Sequence, residues 1–165
     1  MADTIDKAGL GRMILAAVEK IRANHQELSR LDSATGDGDH GTTMLRAMEA
    51  VSKAIEESGE GDVKSLLHGI GWGIMCADGG STGPLLGSLF MGMSEGAGDA
   101  ESLDCAALAA TFEAGLASMQ KQSKAQVGDK TMMDALIPAV AALRSAADAG
   151  ADPAAAMQQA ADPAP

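Results

Sequence analysis

Apolar side chains in this chain return every three or four residues and nowhere alternate convincingly, which restricts it to helices. From Ile5 to Leu28, the positions Leu10, Met13, Ile14, Ala17, Val18 and Ile21 predict one long amphipathic helix. Met44, Met48, Val51 and Ile55 mark the inner stripe of a second, ended by Ser58-Gly59-Glu60-Gly61. Asp62 reads as the N-cap of a third, through Leu66, Leu67 and Ile70. A fourth opens after Asp78–Gly83 with Pro84 in its first turn, and Gly96–Asp99 reads as the loop that follows. Leu108, Phe112, Leu116 and Met119 give a fifth. A sixth is expected to begin near Lys130, with Pro138 as a kink, and Asp152-Pro153 starts a short seventh. The expectation is an all-α fold, a single domain over residues 1–165 built as an antiparallel helical bundle or barrel.

The core must then be packed without aromatics. Trp72, Phe90 and Phe112 are the whole aromatic set, against 11 Met. Aliphatic residues and methionine suit helices better than sheets. A net charge of −11 disfavours a nucleic-acid backbone or an anionic membrane as partner. It also means that any phosphate ligand needs a cation between itself and the protein. Cys76 and Cys105 form no CxxC pair, and no signal peptide or membrane span is visible, so a reduced, cytoplasmic protein is expected.

Chemistry concentrates in three segments. In Asp32-Ser33-Ala34-Thr35-Gly36-Asp37-Gly38-Asp39-His40-Gly41, three carboxylates lie within eight residues, at a junction between two helices. Carboxylates about 5 Å apart repel by roughly 3 kcal/mol per pair at an effective dielectric of 20. Such crowding is tolerable when the groups splay into water or cap the next helix, or when they hold a hard cation such as Mg²⁺. Gly36, Gly38 and Gly41 satisfy the bare dinucleotide pattern, but a helix precedes them instead of a strand, and carboxylates sit between the glycines. An EF-hand starting at Ser33 would need Glu where Met44 stands. Neither pattern holds.

The second segment, Asp78-Gly79-Gly80-Ser81-Thr82-Gly83-Pro84-Leu85, opens a helix whose N-terminal N–H groups suit an anion, and it lacks the lysine of a Walker loop. The third, Lys124 to Asp134, alone reads as a loop and a helix start.

Taken in order, Asp32, Gly36-Asp37-Gly38-Asp39-His40-Gly41, Gly79-Gly80-Ser81-Thr82-Gly83-Pro84-Leu85 and Gly128-Asp129-Lys130-Thr131-Met132 resemble the L subunits of dihydroxyacetone kinases, over about Leu10 to Leu143. The resemblance implies an up-and-down barrel of eight helices, of which about seven are expected here, with ADP or ATP at one rim. It implies that Asp32, Asp37 and Asp39 bind two Mg²⁺ ions and form the catalytic set. His40, Gly41, Thr42 and Thr43, with Ser81 and Thr82, fall at its phosphate contacts, and Met132 near its adenine. Ser123 stands where the family usually carries glycine beside the base. The resemblance further implies a partner K subunit that holds a short-chain ketose. It also implies that ADP serves as a bound cofactor rephosphorylated by an M-type protein of the phosphotransferase system. Free exchange of ATP is the alternative; a non-catalytic regulatory helical module is another. Asp162-Pro163 repeats a helix-start signal where the sequence stops, read either as a family member lacking its last helix or as an Ala/Pro tail.

Overall fold

The computed structural model describes residues 4–34, 36–77, 80 and 82–162. Seven helices follow one another: α1 (Lys7–Asp32), α2 (His40–Glu57), α3 (Val63–Cys76), α4 (Thr82–Ala97), α5 (Cys105–Gln122), α6 (Met133–Asp148) and α7 (Pro153–Ala161). Four of them begin at an aspartate whose carboxylate accepts orphan N–H groups of the first turn. Asp6 takes Gly9 N at 2.7 Å, Asp62 takes Ser65 N at 2.7 Å and Asp104 takes Ala107 N at 2.8 Å. Asp152 takes Ala154 N and Ala155 N, with Pro153 as the first helical residue. Each such cap contributes on the order of 1 kcal/mol by satisfying donors that the helix cannot.

Helices adjacent in sequence are adjacent in space, the pattern of an up-and-down bundle. Leu10, Val18, Met48, Val51, Leu67, Ile70, Ile74, Leu108, Met119, Met133 and Leu143 are buried together, an aliphatic and methionine core as composition required. Trp72 lies outside it, 60% exposed. Arg144 on α6 reaches Glu113 on α5 with two hydrogen bonds, 2.9 and 2.6 Å, and ties those helices across their outer edge. Pro138 sits inside α6 without interrupting it.

The structure departs from the sequence reading at four places. The first helix runs on to Asp32, so this residue belongs to a helix end and not to the loop. Gly96 lies inside α4, where a side chain would meet the Ala114 Cβ at 2.6 Å; its lack of one lets α4 pack closely on α5. The sixth helix starts at Met133, after Lys130 takes a left-handed φ of 60° that breaks helical continuity. Finally, a short antiparallel pair joins β1 (Ile5–Asp6) to β2 (Ser102–Leu103), with Ile5 opposite Leu103. Two residues per strand are too few to show a period.

Candidate metal and phosphate site

The acidic segment occupies the corner between α1 and α2. What fixes the corner is the close approach of the two helices at Gly41. A Cβ at Gly41 would stand 1.9 Å from the carbonyl oxygen of His25 and 2.6 Å from Ser29 Oγ, so nothing but glycine fits. The Gly41 N–H, an orphan of the first turn of α2, donates to Ser29 Oγ at 3.2 Å. The turn itself needs Gly38, whose φ is +78° and whose Cβ would overlap Ser33 Oγ.

Asp32, half-buried at the end of α1, reaches across this turn. Its Oδ2 accepts the N–H of Gly38 at 3.0 Å and of His40 at 3.3 Å. Asp37 Oδ1 accepts the N–H of Asp39 at 3.3 Å. Asp39 holds the N-cap position of α2, yet its backbone is α-helical (φ −93°, ψ −5°) and its carboxylate makes no capping bond. It therefore differs from Asp6, Asp62, Asp104 and Asp152, and its oxygens are left to face the other two acids. One oxygen from each of Asp32, Asp37 and Asp39 lies within 4.8 Å of the others.

This gathering has an electrostatic signature. The charge of Asp37 first, then burial and a hydrogen bond with Asp37, then the charge of Asp32, hold the Asp39 carboxyl above its ordinary value of 3.8. Arg46 on α2 pulls the other way. Crowding of this kind is relieved by a proton or by a cation. An all-oxygen donor set suits a hard divalent ion, and opposite ligands stand about 4.2 Å apart on one Mg²⁺ and about 4.8 Å on one Ca²⁺, so the trio lies near the reach of such an ion and needs only small side-chain movements to close on the smaller one. The three carboxylates, expected to converge, do so.

The other expected site residues are distributed as follows. His40 is half-buried at the first position of α2, and Thr42 is exposed one turn from Asp39. The Thr43 side chain is buried, and its N–H donates to Asp39 O at 2.9 Å. Thr82, also buried, begins α4; Ser81, Asp78 and Gly79 lie outside the described residues. Ser123 ends α5 and its Oγ accepts the Ala125 N–H at 3.2 Å. Met132 is half-buried against the core at the start of α6. Between them, the carboxylate of Asp134 accepts the N–H groups of Gly128 at 2.5 Å and Thr131 at 2.8 Å, which fixes the Lys124–Asp134 loop. Sequence reasoning missed Ser29 and Arg46. Their spacing signals were present: Ser29 precedes Asp32 by one turn on α1, and Arg46 follows Asp39 and Thr42 at helical spacing on α2.

Residues 34–165 match the DAK2 domain model. Two curated relatives are similar. One is the Listeria innocua "PEP-dependent dihydroxyacetone kinase 1, ADP-binding subunit DhaL", 39% identical over 85% of this chain and 70% of the relative. The other is the Lactococcus lactis "PTS-dependent dihydroxyacetone kinase, ADP-binding subunit DhaL", 46% identical over 70% of this chain and 58% of the relative. Among solved structures, the C. freundii dihydroxyacetone kinase in complex with AMP-PNP and Mg²⁺ superposes with a TM-score of 0.64 at 25% identity, covering 87% of this chain and 27% of that one. The native form of that kinase gives 0.72 at 24% identity, a likeness of fold. Among the described residues, no helix is long and apolar enough to cross a membrane.

Proposed function

Since this chain belongs to the DAK2 domain family, we propose that it is the nucleotide-holding part of a phosphotransferase that acts on dihydroxyacetone or a similar short ketose. The observation that carries this reading is the convergence of Asp32, Asp37 and Asp39 within 4.8 Å, with the Asp39 carboxylate withheld from helix capping. An acidic protein does not otherwise attract a diphosphate. Asp32, Asp37 and Asp39 would hold divalent cations, two in number, and these would supply charge neutralisation for a nucleotide's phosphates and for the transferring phosphoryl group.

The remaining work falls to residues of the chain. Asp32 pins the turn through Gly38 and His40 and so sets where Asp37 and Asp39 point. The N-terminal turn of α2, with His40, Gly41, Thr42 and Thr43, turns its helix polarity and side chains toward phosphate, while the N–H groups of His40, Gly41 and Thr43 are held by Asp32, Ser29 and Asp39. The start of α4, with Thr82, supplies a second helix end, and Ser81, which precedes it in the sequence, is assigned to the same phosphate contact. Met132 forms an apolar wall for the base, with Ser123 near its edge. The ketose is held elsewhere, on a K-type partner subunit in the cytoplasm, and ADP stays bound while a phosphotransferase-system protein recharges it. The names of the Listeria and Lactococcus relatives, ADP-binding subunits dependent on PEP or the PTS, support that arrangement over free ATP exchange.

Calorimetric titration of ADP into the chain tests the proposal. Binding is expected with Mg²⁺ and is expected to vanish with EDTA; ADP binding indifferent to Mg²⁺ would refute the role given to the aspartates.

A further inference from the structure

The start of α6 is held by more bonds than a helix start requires. Thr131 and Asp134 cap it reciprocally: Thr131 Oγ1 accepts the Met133 N–H at 3.2 Å, and Asp134 Oδ2 accepts the Thr131 N–H at 2.8 Å. The second carboxylate oxygen does something the helix does not need. It reaches back six residues to accept the Gly128 N–H at 2.5 Å. Asp129 closes the adjoining turn, accepting the Gln126 N–H at 2.8 Å while its own N–H donates to Gln126 O at 3.2 Å. Between these fastenings Lys130 is kept at its left-handed φ of 60°, the one residue other than glycine to take that conformation among the described residues.

A segment that only joined two helices would not need to be held against such strain. Ten residues separate Gln122 from Met133, more than the roughly two to eight that join most helices in bundles. In an up-and-down bundle the α1–α2 and α5–α6 connections share one end, so this loop belongs to the same end as the acidic corner. It leaves Val127 59% exposed and leads directly into Met132. An apolar surface on a backbone fixed beforehand suits a flat, weakly polar ligand, because the loop need not be ordered when that ligand arrives.

We infer that Asp134 is a positioning residue for the nucleotide base. Through Gly128 it fixes residues 126–131 ahead of Met132, so that the apolar wall exists before the nucleotide arrives. The inference rests on the reading above that Met132 walls the base, and adds to it a residue that touches neither base nor phosphate. It separates the two halves of one ligand. Phosphates held through cations do not depend on this loop, whereas the base does, so loosening the loop weakens the second contact and spares the first. A purely structural aspartate would move both the same way.

The test uses the whole chain, with Asp134→Asn and Thr131→Val beside the wild type. Binding of ADP and of pyrophosphate, each with saturating Mg²⁺, is read by calorimetry well below the melting temperature. Asp134→Asn is expected to bind ADP about five- to tenfold more weakly, the cost of ordering a loosened segment on binding. Pyrophosphate, which has no base, is expected to stay within about twofold. Thr131→Val removes the Oγ1 bond to Met133 and leaves the Thr131 N–H on Asp134. It is expected to lower the melting temperature and to leave both affinities within about twofold. Equal losses for ADP and pyrophosphate in Asp134→Asn, unchanged ADP affinity, or the same selective loss in Thr131→Val would overturn the role of Asp134 and leave the nucleotide reading intact. A wild-type chain that binds no ADP in the presence of Mg²⁺ would overturn both.

Discussion

Two corners of this molecule use the same residue types to opposite ends. Between α1 and α2, Gly36-Asp37-Gly38-Asp39 gathers carboxylates together; between α5 and α6, Gly128-Asp129 leads to Asp134 and keeps them apart. In the second corner every acid is consumed by backbone. Asp129 accepts the Gln126 N–H at 2.8 Å, and Asp134 accepts those of Gly128 and Thr131. These bonds to Gly128 and then Thr131 hold the Asp134 carboxyl below its ordinary 3.8. In the first corner Asp37 pushes Asp39 above the same value. An aspartate that stabilises a loop is recognised by the donors that surround it, as Asp32 also is, whereas Asp39 is set apart by the acids around it.

The largest effect that would break this contrast lies at the glycines. Gly41→Ala forces a Cβ into the His25 carbonyl and is expected to cost more than about 3 kcal/mol, enough to unfold much of the protein; chemical denaturation measures it. A Gly41→Ala chain of normal stability would mean that the helices are not held together as described.

Next comes the metal. Asp37→Asn or Asp39→Asn is expected to weaken Mn²⁺ binding by about a hundredfold, since the charge is lost and an anionic oxygen gives way to a weaker amide oxygen. Asp134→Asn is expected to leave it within about twofold. Titration followed by Mn²⁺ relaxation distinguishes the two, and equal losses would erase the distinction between the corners.

Smaller and more diagnostic is the pH dependence of stability without divalent ions. A raised native pKa means that the folded state holds its proton more tightly than the unfolded one. Asp39 therefore contributes stability that is full below 3.8 and is lost as pH rises through its native value. Asp134 has the reverse sign: its contribution is present above 3.8 and is lost as pH falls through its lowered native value. At pH 7, Asp39→Asn is expected to raise Tm by about 2 °C and Asp134→Asn to lower it by about as much. Mg²⁺ is expected to raise the wild-type Tm and to do so less as the acids are protonated. Matching signs for the two variants would refute the assignment.

The smallest effect on metal binding belongs to Gly128, whose φ is +103° but whose Cβ would meet nothing within 4 Å. Gly128→Ala is expected to cost about 1–2 kcal/mol from backbone strain alone, with metal binding unchanged.

The helices were legible because an apolar period of three to four survives in the first six, and because Asp62 and Asp152 announce two of the starts, the second of them that of the alanine-rich α7. Gly96 misled because a glycine that serves as a packing surface is indistinguishable, in one dimension, from a glycine that ends a helix. The acidic cluster was visible as composition. Its convergence was legible only through the family resemblance and not from the residues themselves, since it depends on Asp32 extending α1 by a last turn and on Asp39 declining the capping bond that its position invites. Ser29 and Arg46 were hidden for a related reason: each is ordinary on its own helix and acquires meaning from the helix or the acids opposite.

The β1–β2 pair has a consequence for how the molecule assembles. Contacts between successive helices are local and form quickly, but Ile5 finds its partner only at Leu103. During synthesis the segment before α1 must wait until most of the bundle has emerged, with closure of that large loop among the last and entropically most expensive steps. Amide exchange at Ile5 and Leu103 should therefore report completion of the whole structure, long after α2 and α3 have acquired protection.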